Sequence, residues 1–282
     1  MNYLQLKKAL SDFLNEDIGR GDQSVATIFS QTDISEGEFL LKEDGVICGL
    51  FLAPMIYHLL GEEGAVHFEV LVSEGSFQKK GTIIARVCGP TQILLTAERL
   101  ILNLWQRMGG IAQATRQAIE TLDDKTIRIC DTRKTAPGLR QFDKYAVKQG
   151  GGFNHRMGLD DCIMLKDNHI AFSGGITKAI EKVRKNCGHT IKIEVEIETL
   201  DQFKEAVAAR ADIIMLDNRT PEEVCEYLNY NQGIMTEVSG GIQLDNLAAY
   251  RGCGADYLSL GYLTHSVEAL DISFNSLEGK KV

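Results

Sequence analysis

Cationic side chains gather in one stretch of an acidic chain. From Asp131 to His169 the sequence reads DTRKTAPGLRQFDKYAVKQGGGFNHRMGLDDCIMLKDNH. Arg133, Lys134, Arg140, Lys144, Lys148, Arg156 and Lys166 lie here against Asp131, Asp143, Asp160, Asp161 and Asp167. The segment is therefore net basic, while the whole chain carries a charge of −9. His155 and His169 fall in it too. Clustered cations raise the local concentration of anions. Arginine grips a carboxylate through paired hydrogen bonds, and lysine adds a point charge. Arg133, Lys134, His155, Arg156 and Lys166 thus suit a small carboxylated substrate. Arg140, Lys144 and Lys148 recur every fourth residue, on one face of a helix. A solvated face and a share in the site are both open to those three.

Complementary groups follow. Glu194, Glu196 and Glu198 alternate along a β-prone run and share one face. Glu196 and Asp217 close to successive strand ends suit Mg²⁺, which takes one or two carboxylates plus substrate phosphate oxygens. They equally suit partnership with the basic residues. Ser239-Gly240-Gly241 ends one later strand and Gly261 the next, with Thr264-His265 just beyond. Backbone N–H groups left open at such glycines bind a phosphate monoester. The same glycines also serve tight turns with positive φ.

These residues need a scaffold, and the periodicity predicts one. From Thr126 onward, apolar strands alternate with amphipathic helices. Candidate strands are Ile127–Thr132, Cys162–Asp167, Ile191–Ile197, Ile213–Asp217, Met235–Ser239 and Tyr257–Gly261. Helices are expected over Arg140–Gln149, Ile176–Lys185, Leu200–Ala209, Pro221–Tyr227 and Leu244–Gly252. That alternation predicts a parallel α/β sheet, here an irregular or incomplete α/β barrel over residues 110–269. Chemistry in such folds sits at the C-terminal strand ends, where the polar residues and glycines above fall. No Gly-x-Gly-x-x-Gly follows the first strand, which argues against a dinucleotide fold.

Residues 1–109 read differently. Tyr3–Leu14 has helical spacing, and Leu52–Leu60 does too. Short β-prone runs at Phe39–Leu41, Val46–Cys48, Val66–Val72 and Ile83–Val87 are divided by turns, predicting an α+β open sandwich. Pro90–Met108 is helical, and apolar around more than one face. Arg99 within it needs an anionic partner or must snorkel at the helix edge. Gly109-Gly110 is expected to end this helix, and Ile111–Leu122 to begin another.

Composition bounds the rest. The 282 residues are 44% hydrophobic and 24% charged, ordinary for a globular protein. The acidic balance, with pI ≈ 5.2, excludes a nucleic-acid surface and a polybasic membrane anchor. No signal peptide or apolar run of membrane-spanning length is read. Seven scattered cysteines without C-x-x-C spacing read as free thiols, and so a cytoplasmic location.

With those motifs in place, the chain resembles the quinolinate phosphoribosyltransferase family. The most specific blocks are DTRKTAPGLR (131–140), GGGFNHRMGLDD (150–161) and LKDNHI (165–170). EVEIETL (194–200), IIMLDN (213–218), VSGGI (238–242) and SLGYLTHS (259–266) add to them. A relative associated with molybdenum transport lacks the Lys-Asp-Asn-His run and has Cys before Thr-Arg-Lys. Asp131, Lys166 and Asn168 follow the quinolinate pattern instead. Ser24-Val25, Ala136, Phe142, Asp143 and Val238 are mild departures.

The resemblance implies transfer of phosphoribosyl from phosphoribosyl pyrophosphate to quinolinate with decarboxylation, a step of NAD biosynthesis. It implies that the tail 270–282 packs back on the first domain. It also implies a homodimer in which the partner's Arg99 completes each site. Residues matching Arg133, His155, Arg156 and Lys166 surround the two carboxylates of quinolinate. Those matching Lys134, Glu196 and Asp217 hold phosphoribosyl pyrophosphate and Mg²⁺. Those matching Ser239, Gly240, Gly241, Gly261 and His265 hold the 5′-phosphate. Two other classes compete: a Schiff-base aldolase barrel using Lys134 or Lys166, and a non-catalytic phosphate-binding protein.

Overall fold

The structure is a computed structural model and describes residues 2–277. The chain opens with α1 (Tyr3–Ile18) and α2 (Gln23–Ile28). Then come β1 (Ile34–Leu41), β2 (Gly45–Val46), α3 (Leu52–Leu60), β3 (His67–Val70), β4 (Phe77–Gln78), β5 (Ile83–Pro90) and α4 (Thr91–Leu122). Next are β6 (Arg128–Cys130), α5 (Arg140–Gln149), β7 (Ile163–Leu165), α6 (Asp167–Ser173), α7 (Ile176–Asn186), β8 (Ile193–Ile197) and α8 (Leu200–Ala208). The chain continues through β9 (Ile213–Asp217), α9 (Pro221–Leu228), β10 (Met235–Ser239), a 3₁₀ turn (Leu247–Tyr250), β11 (Tyr257–Ser259), α10 (Tyr262–His265) and β12 (Ile272–Ser276). Two compact units result. The division falls between Ala114 and Thr115, inside α4; Pro137–Gly150 and the chain from Val267 belong to the first unit.

The first unit is built on an antiparallel sheet ordered β12-β1-β5-β3. In α1, Leu6, Leu10 and Leu14 repeat every fourth residue and are buried, while Asn2 Oδ1 caps the helix by accepting from Leu4 N at 3.0 Å. Each such leucine contributes about 1.5–3 kcal/mol by leaving water. Trp105 on α4 fills the centre of the core. It packs on Phe39 at 4.8 Å between ring centroids and donates its indole N–H to Gly49 O at 2.7 Å. The tail does return to this unit: β12 pairs with β1 from Gly37–Ser276 to Leu41–Ile272. Residues 278–282 of the expected tail lie outside the described residues.

One expectation fails in this unit, and one open choice narrows. Gly109-Gly110 does not end a helix, since α4 runs unbroken from Thr91 to Leu122. A Cβ on Gly110 would lie 1.9 Å from Glu268 O, and one on Gly109 would lie 2.8 Å from Leu270 Cδ2. These glycines are there to let the returning tail approach the helix. Nor is the cationic face of α5 simply solvated. Lys148 is exposed, but Lys144 is 1% exposed, beside the fully buried Asp143. Asp143 accepts two hydrogen bonds from Arg107, from Nε and Nη2, each 2.8 Å.

The second unit carries a parallel sheet ordered β6-β11-β10-β9-β8-β7. β6 and β7 are its end strands, and Phe153 adds a parallel bridge to Cys130 beyond β6. Capping fixes the helix starts. Thr199 with Gln202 and Thr220 with Glu223 form reciprocal boxes, and Pro221 occupies the first turn of α9. The strands are apolar and buried, as in Ile213–Asp217, where Ile214, Met215 and Leu216 are covered. β9 and β10 have the limits read from sequence. The other four strands are shorter, and the helix expected over Leu244–Gly252 is only the 3₁₀ turn. Among the described residues no helix is long and apolar enough to cross a membrane. All seven cysteines are free thiols.

Candidate active site

Strand register brings the polar strand ends into one row. Cys130 pairs with Ser259, Ser259 with Ser239, and Ser239 with Asp217; Glu196 lies beside Met215 one strand further. These ends surround a cavity of about 450 Å³. Arg133, Lys134, His155, Arg156 and Lys166 line it, and so do Glu196, Asp217, Ser239, Gly240 and Gly241. Ten of the residues singled out from sequence therefore share one chamber. Gly261 and His265 adjoin it through Lys134: a Cβ on Gly261 would lie 3.2 Å from both Lys134 Cδ and His265 Cδ2. Arg99 is separate, exposed on α4 in the first unit.

Each cation has a mechanical reason for its place. Asp131 is fully buried at the end of β6. It accepts from Asn154 Nδ2 at 2.6 Å and from His155 N at 2.9 Å, which pins the loop carrying His155 and Arg156. Arg156 is steadied by Cys162 O, 3.0 Å from Nη1. Lys134 O accepts from Thr264 Oγ1 at 2.8 Å, tying the loop after β6 to α10. Lys166 follows β7 and caps no helix with its side chain, so its ammonium is free to turn inward. There it meets Glu196 Oε2 at 2.5 Å, with the two side chains 45% and 17% exposed. His169 of the same motif accepts the Lys166 backbone N–H at 3.1 Å and so fixes the strand-to-helix turn.

The carboxylates are set against each other. Burial raises the Asp217 carboxyl above its ordinary range, and nearby Glu196 adds to the rise; Lys166 and Lys134 oppose it. Two hard oxygen donors whose charges repel fit a divalent cation of the Mg²⁺ type. Asn218 Nδ2 donates to Asp217 Oδ2 at 2.8 Å and orients it. Asn218 itself has φ 54°, and a Cβ on Gly240 (φ +88°) would lie 2.3 Å from Asn218 Oδ1. Only glycine fits at 240, which leaves the backbone there open to a ligand.

A second cavity of about 300 Å³ lies towards the opposite ends of the strands, and His155 and Arg156 border both. Its wall holds a buried group that the sequence reading missed. His155 Nε2 lies 3.3 Å from Glu194 and 3.4 Å from Glu237. Glu237 is joined to Ser259 Oγ, which lies 3.1 Å from Cys130 Sγ. Burial pushes Glu237 up to about 7; His155 pulls it down and Glu194 pushes it further up. One signal was available: an acid in the middle of an apolar parallel strand, which is covered on both faces, must have buried partners.

Comparisons with known proteins match this arrangement. The family model for the quinolinate phosphoribosyl transferase C-terminal domain covers residues 111–275, and that for the N-terminal domain covers 22–109. The chain belongs to the quinolinate phosphoribosyltransferase family. A Bacillus subtilis protein named "Probable nicotinate-nucleotide pyrophosphorylase (carboxylating)" is 49% identical over 276 residues, covering 98% of this chain and 94% of its own. A Synechocystis protein of the same name is 42% identical over 254 residues, covering 89% of this chain and 85% of its own. The crystal structure of NadC from Streptococcus pyogenes superposes with a TM-score of 0.93 at 38% identity, covering 99% of each chain. That likeness agrees with the mixed fold, an N-terminal sheet domain and a C-terminal parallel α/β domain. In this quinolinate phosphoribosyltransferase family member, the motif blocks DTRK, NHR and LKDNH all reach the one chamber.

Proposed function

We propose that the protein transfers phosphoribosyl from phosphoribosyl pyrophosphate to the ring nitrogen of quinolinate. The 2-carboxylate is lost, giving nicotinate mononucleotide, pyrophosphate and CO₂. The observation that carries this reading is the convergence of five basic side chains with two facing carboxylates and a glycine turn in one chamber of a family member. Arg133, Arg156 and Lys166 take the two carboxylates of quinolinate, by paired hydrogen bonds and point charge, and His155 lines the chamber beside them while its ring nitrogens meet Arg156 N and the two buried glutamates. Lys134 takes the donor, and Ser239, Gly240, Gly241, Gly261 and His265 its 5′-phosphate. Glu196 and Asp217 are the ligands for Mg²⁺, whose charge offsets that of the leaving pyrophosphate.

The residues act mainly by placement. Ribosyl transfer passes through an oxocarbenium-like state, and orientation of the two reactants is worth up to about 7–11 kcal/mol. Lys134 sets positive charge where negative charge develops. Once the ring nitrogen is quaternary it accepts the electron pair of the breaking bond, so cleavage itself needs no acid. A pocket built for two carboxylates disfavours nicotinate, which would leave a buried cation unpaired. Arg99, exposed on its helix, completes the partner's site in a homodimer. A Schiff-base role for Lys166 fits poorly, since an ammonium held at 2.5 Å by Glu196 is not a free amine.

The deciding assay is release of CO₂ and pyrophosphate from quinolinate and phosphoribosyl pyrophosphate with Mg²⁺. Equal amounts of both are expected, with none from nicotinate; no pyrophosphate from quinolinate refutes the assignment. The dimer is tested separately, by mixing Arg99→Ala and Lys134→Ala subunits. Each is inactive alone, and mixed dimers regain one intact site; no recovery rules out a shared site.

A further inference from the structure

The reaction proposed above has an unfilled requirement. When the C2–carboxylate bond breaks, its electron pair stays on C2 and CO₂ leaves. That pair must take up a proton to form the C2–H bond of the product, so one proton is consumed in every turnover. Breaking the bond needs no acid, but the carbon left behind needs a donor.

The buried group beneath the chamber holds such a proton. His155 Nδ1 accepts the backbone N–H of Arg156 at 2.7 Å, which fixes its proton on Nε2. A single Nε2–H faces two buried carboxylates, Glu194 at 3.3 Å and Glu237 at 3.4 Å. Glu194 is 1% exposed and Glu237 5%. One N–H cannot neutralise both, and a second buried anion costs several kcal/mol, so the second carboxyl carries a proton instead. The other groups facing Glu237 favour this: Asp131 and Glu194 are acids, and Cys130 is a thiol whose ionisation burial suppresses. Glu237 is joined to Ser259 Oγ. Ser259 is itself 3% exposed, yet it borders the substrate chamber. A hydroxyl both donates and accepts, so it can pass a proton on while receiving another.

We propose that Ser259 delivers the C2 proton from Glu237, making the two a relay from the buried group to the substrate. This rests on the function proposed above. The hydroxyl proton goes to the C2 electron pair as Oγ takes the proton of the Glu237 carboxyl. Glu237 is left ionised and regains a proton from solvent through the second cavity before the next cycle. Ser259 is the catalytic residue of this step, and Glu237 acts through it.

Single-turnover quenching of Ser259→Ala and Glu237→Gln tests the relay, with pyrophosphate and nicotinate mononucleotide measured in the same samples. Pyrophosphate release should stay within about threefold of wild type, while nicotinate mononucleotide formation falls at least about tenfold, because the C2 carbanion that finds no proton recaptures the CO₂ beside it and quinolinate mononucleotide accumulates. Product formation within threefold of wild type, or a fall in step with pyrophosphate release, overturns the relay. A second arm uses unaltered protein, equilibrated in D₂O and diluted tenfold into H₂O with both substrates. Deuterium at C2 of the first-turnover product should exceed its fraction in the diluted solvent; a value equal to solvent overturns the relay. If wild type releases no pyrophosphate, the functional assignment itself has failed, a result distinct from either.

Discussion

Two ion pairs, one in each unit, use similar groups to opposite ends. In the first unit Arg107 holds Asp143 through two bonds of 2.8 Å, and the aspartate side chain is fully buried. In the second, Lys166 meets Glu196 at 2.5 Å with the lysine 45% exposed. The first pair is bidentate and its carboxylate is fully desolvated, although Arg107 itself is 23% exposed and borders a cavity of about 490 Å³. The second is a single contact at the wall of an open chamber, and a carboxylate or a metal ion can displace either member. Arginine suits the permanent clamp because its planar fork matches both oxygens at once. Lysine suits the exchangeable one because its ammonium reorients on a flexible stem. Pairing alone therefore does not mark an exchangeable cation; a single bond to a partly exposed carboxylate does.

Removing each cation in turn should separate the two pairs most widely. Lys166→Met should lower kcat/KM for quinolinate by about a thousandfold, or about 4 kcal/mol, with the thermal midpoint shifted by no more than a degree or two. A large loss of stability there would make Lys166 a structural clamp like Arg107. Arg107→Met should do the reverse. Stripping a guanidinium from a buried carboxylate costs about 3–5 kcal/mol, read by urea unfolding. Turnover per folded molecule should stay within about threefold, and a collapse of kcat at unchanged stability would refute the distinction.

Metal removal probes the other half of the exchangeable pair. EDTA should abolish turnover, and excess Mg²⁺ should restore it; full activity in EDTA leaves Glu196 and Asp217 as partners of the lysines alone. The Glu196→Gln variant should need more Mg²⁺ for half-maximal rate, by about tenfold. An unchanged requirement removes Glu196 from the metal site.

The smallest expected effect sharpens the contrast with a third buried acid. Asp143 has a guanidinium beside it, whereas Glu237 has His155 Nε2 at 3.4 Å, and burial raises its pKa from the ordinary 4.5 to about 7. Between those values the folded state binds more protons than the unfolded state. Stability therefore declines as pH rises through that window. Glu237→Gln has no carboxyl to titrate there, so its thermal midpoint should gain on wild type between pH 4.5 and 7. A pH-independent difference would mean that Glu237 is ionised throughout.

Much of this was legible in the chain, for reasons that vary with the feature. α3, α5, β9 and β10 have the limits that periodicity gave, because apolar spacing is a local property of the backbone. Thr199–Gln202 and Thr220–Glu223 announce helix starts for the same reason. The glycines at 109 and 110 misled because a helix stop and a close packing contact use the same residue. Lys144 misled because regular spacing identifies a face but not what covers it. Ser259 drew no attention because nothing local sets it apart from any strand residue, whereas Glu237 offered one sign, an acid inside an apolar parallel strand.

The order of elements, the polar and glycine residues at the strand ends, and the family are all legible locally in the chain. These follow from short-range rules of spacing, capping and motif. Only the tertiary structure decided which of these residues meet. Cys130 and Ser259 are 129 positions apart, and Glu194 and His155 are 39 apart. No period links such pairs. They come together because parallel pairing aligns the strands, and because burial makes each polar group find a partner.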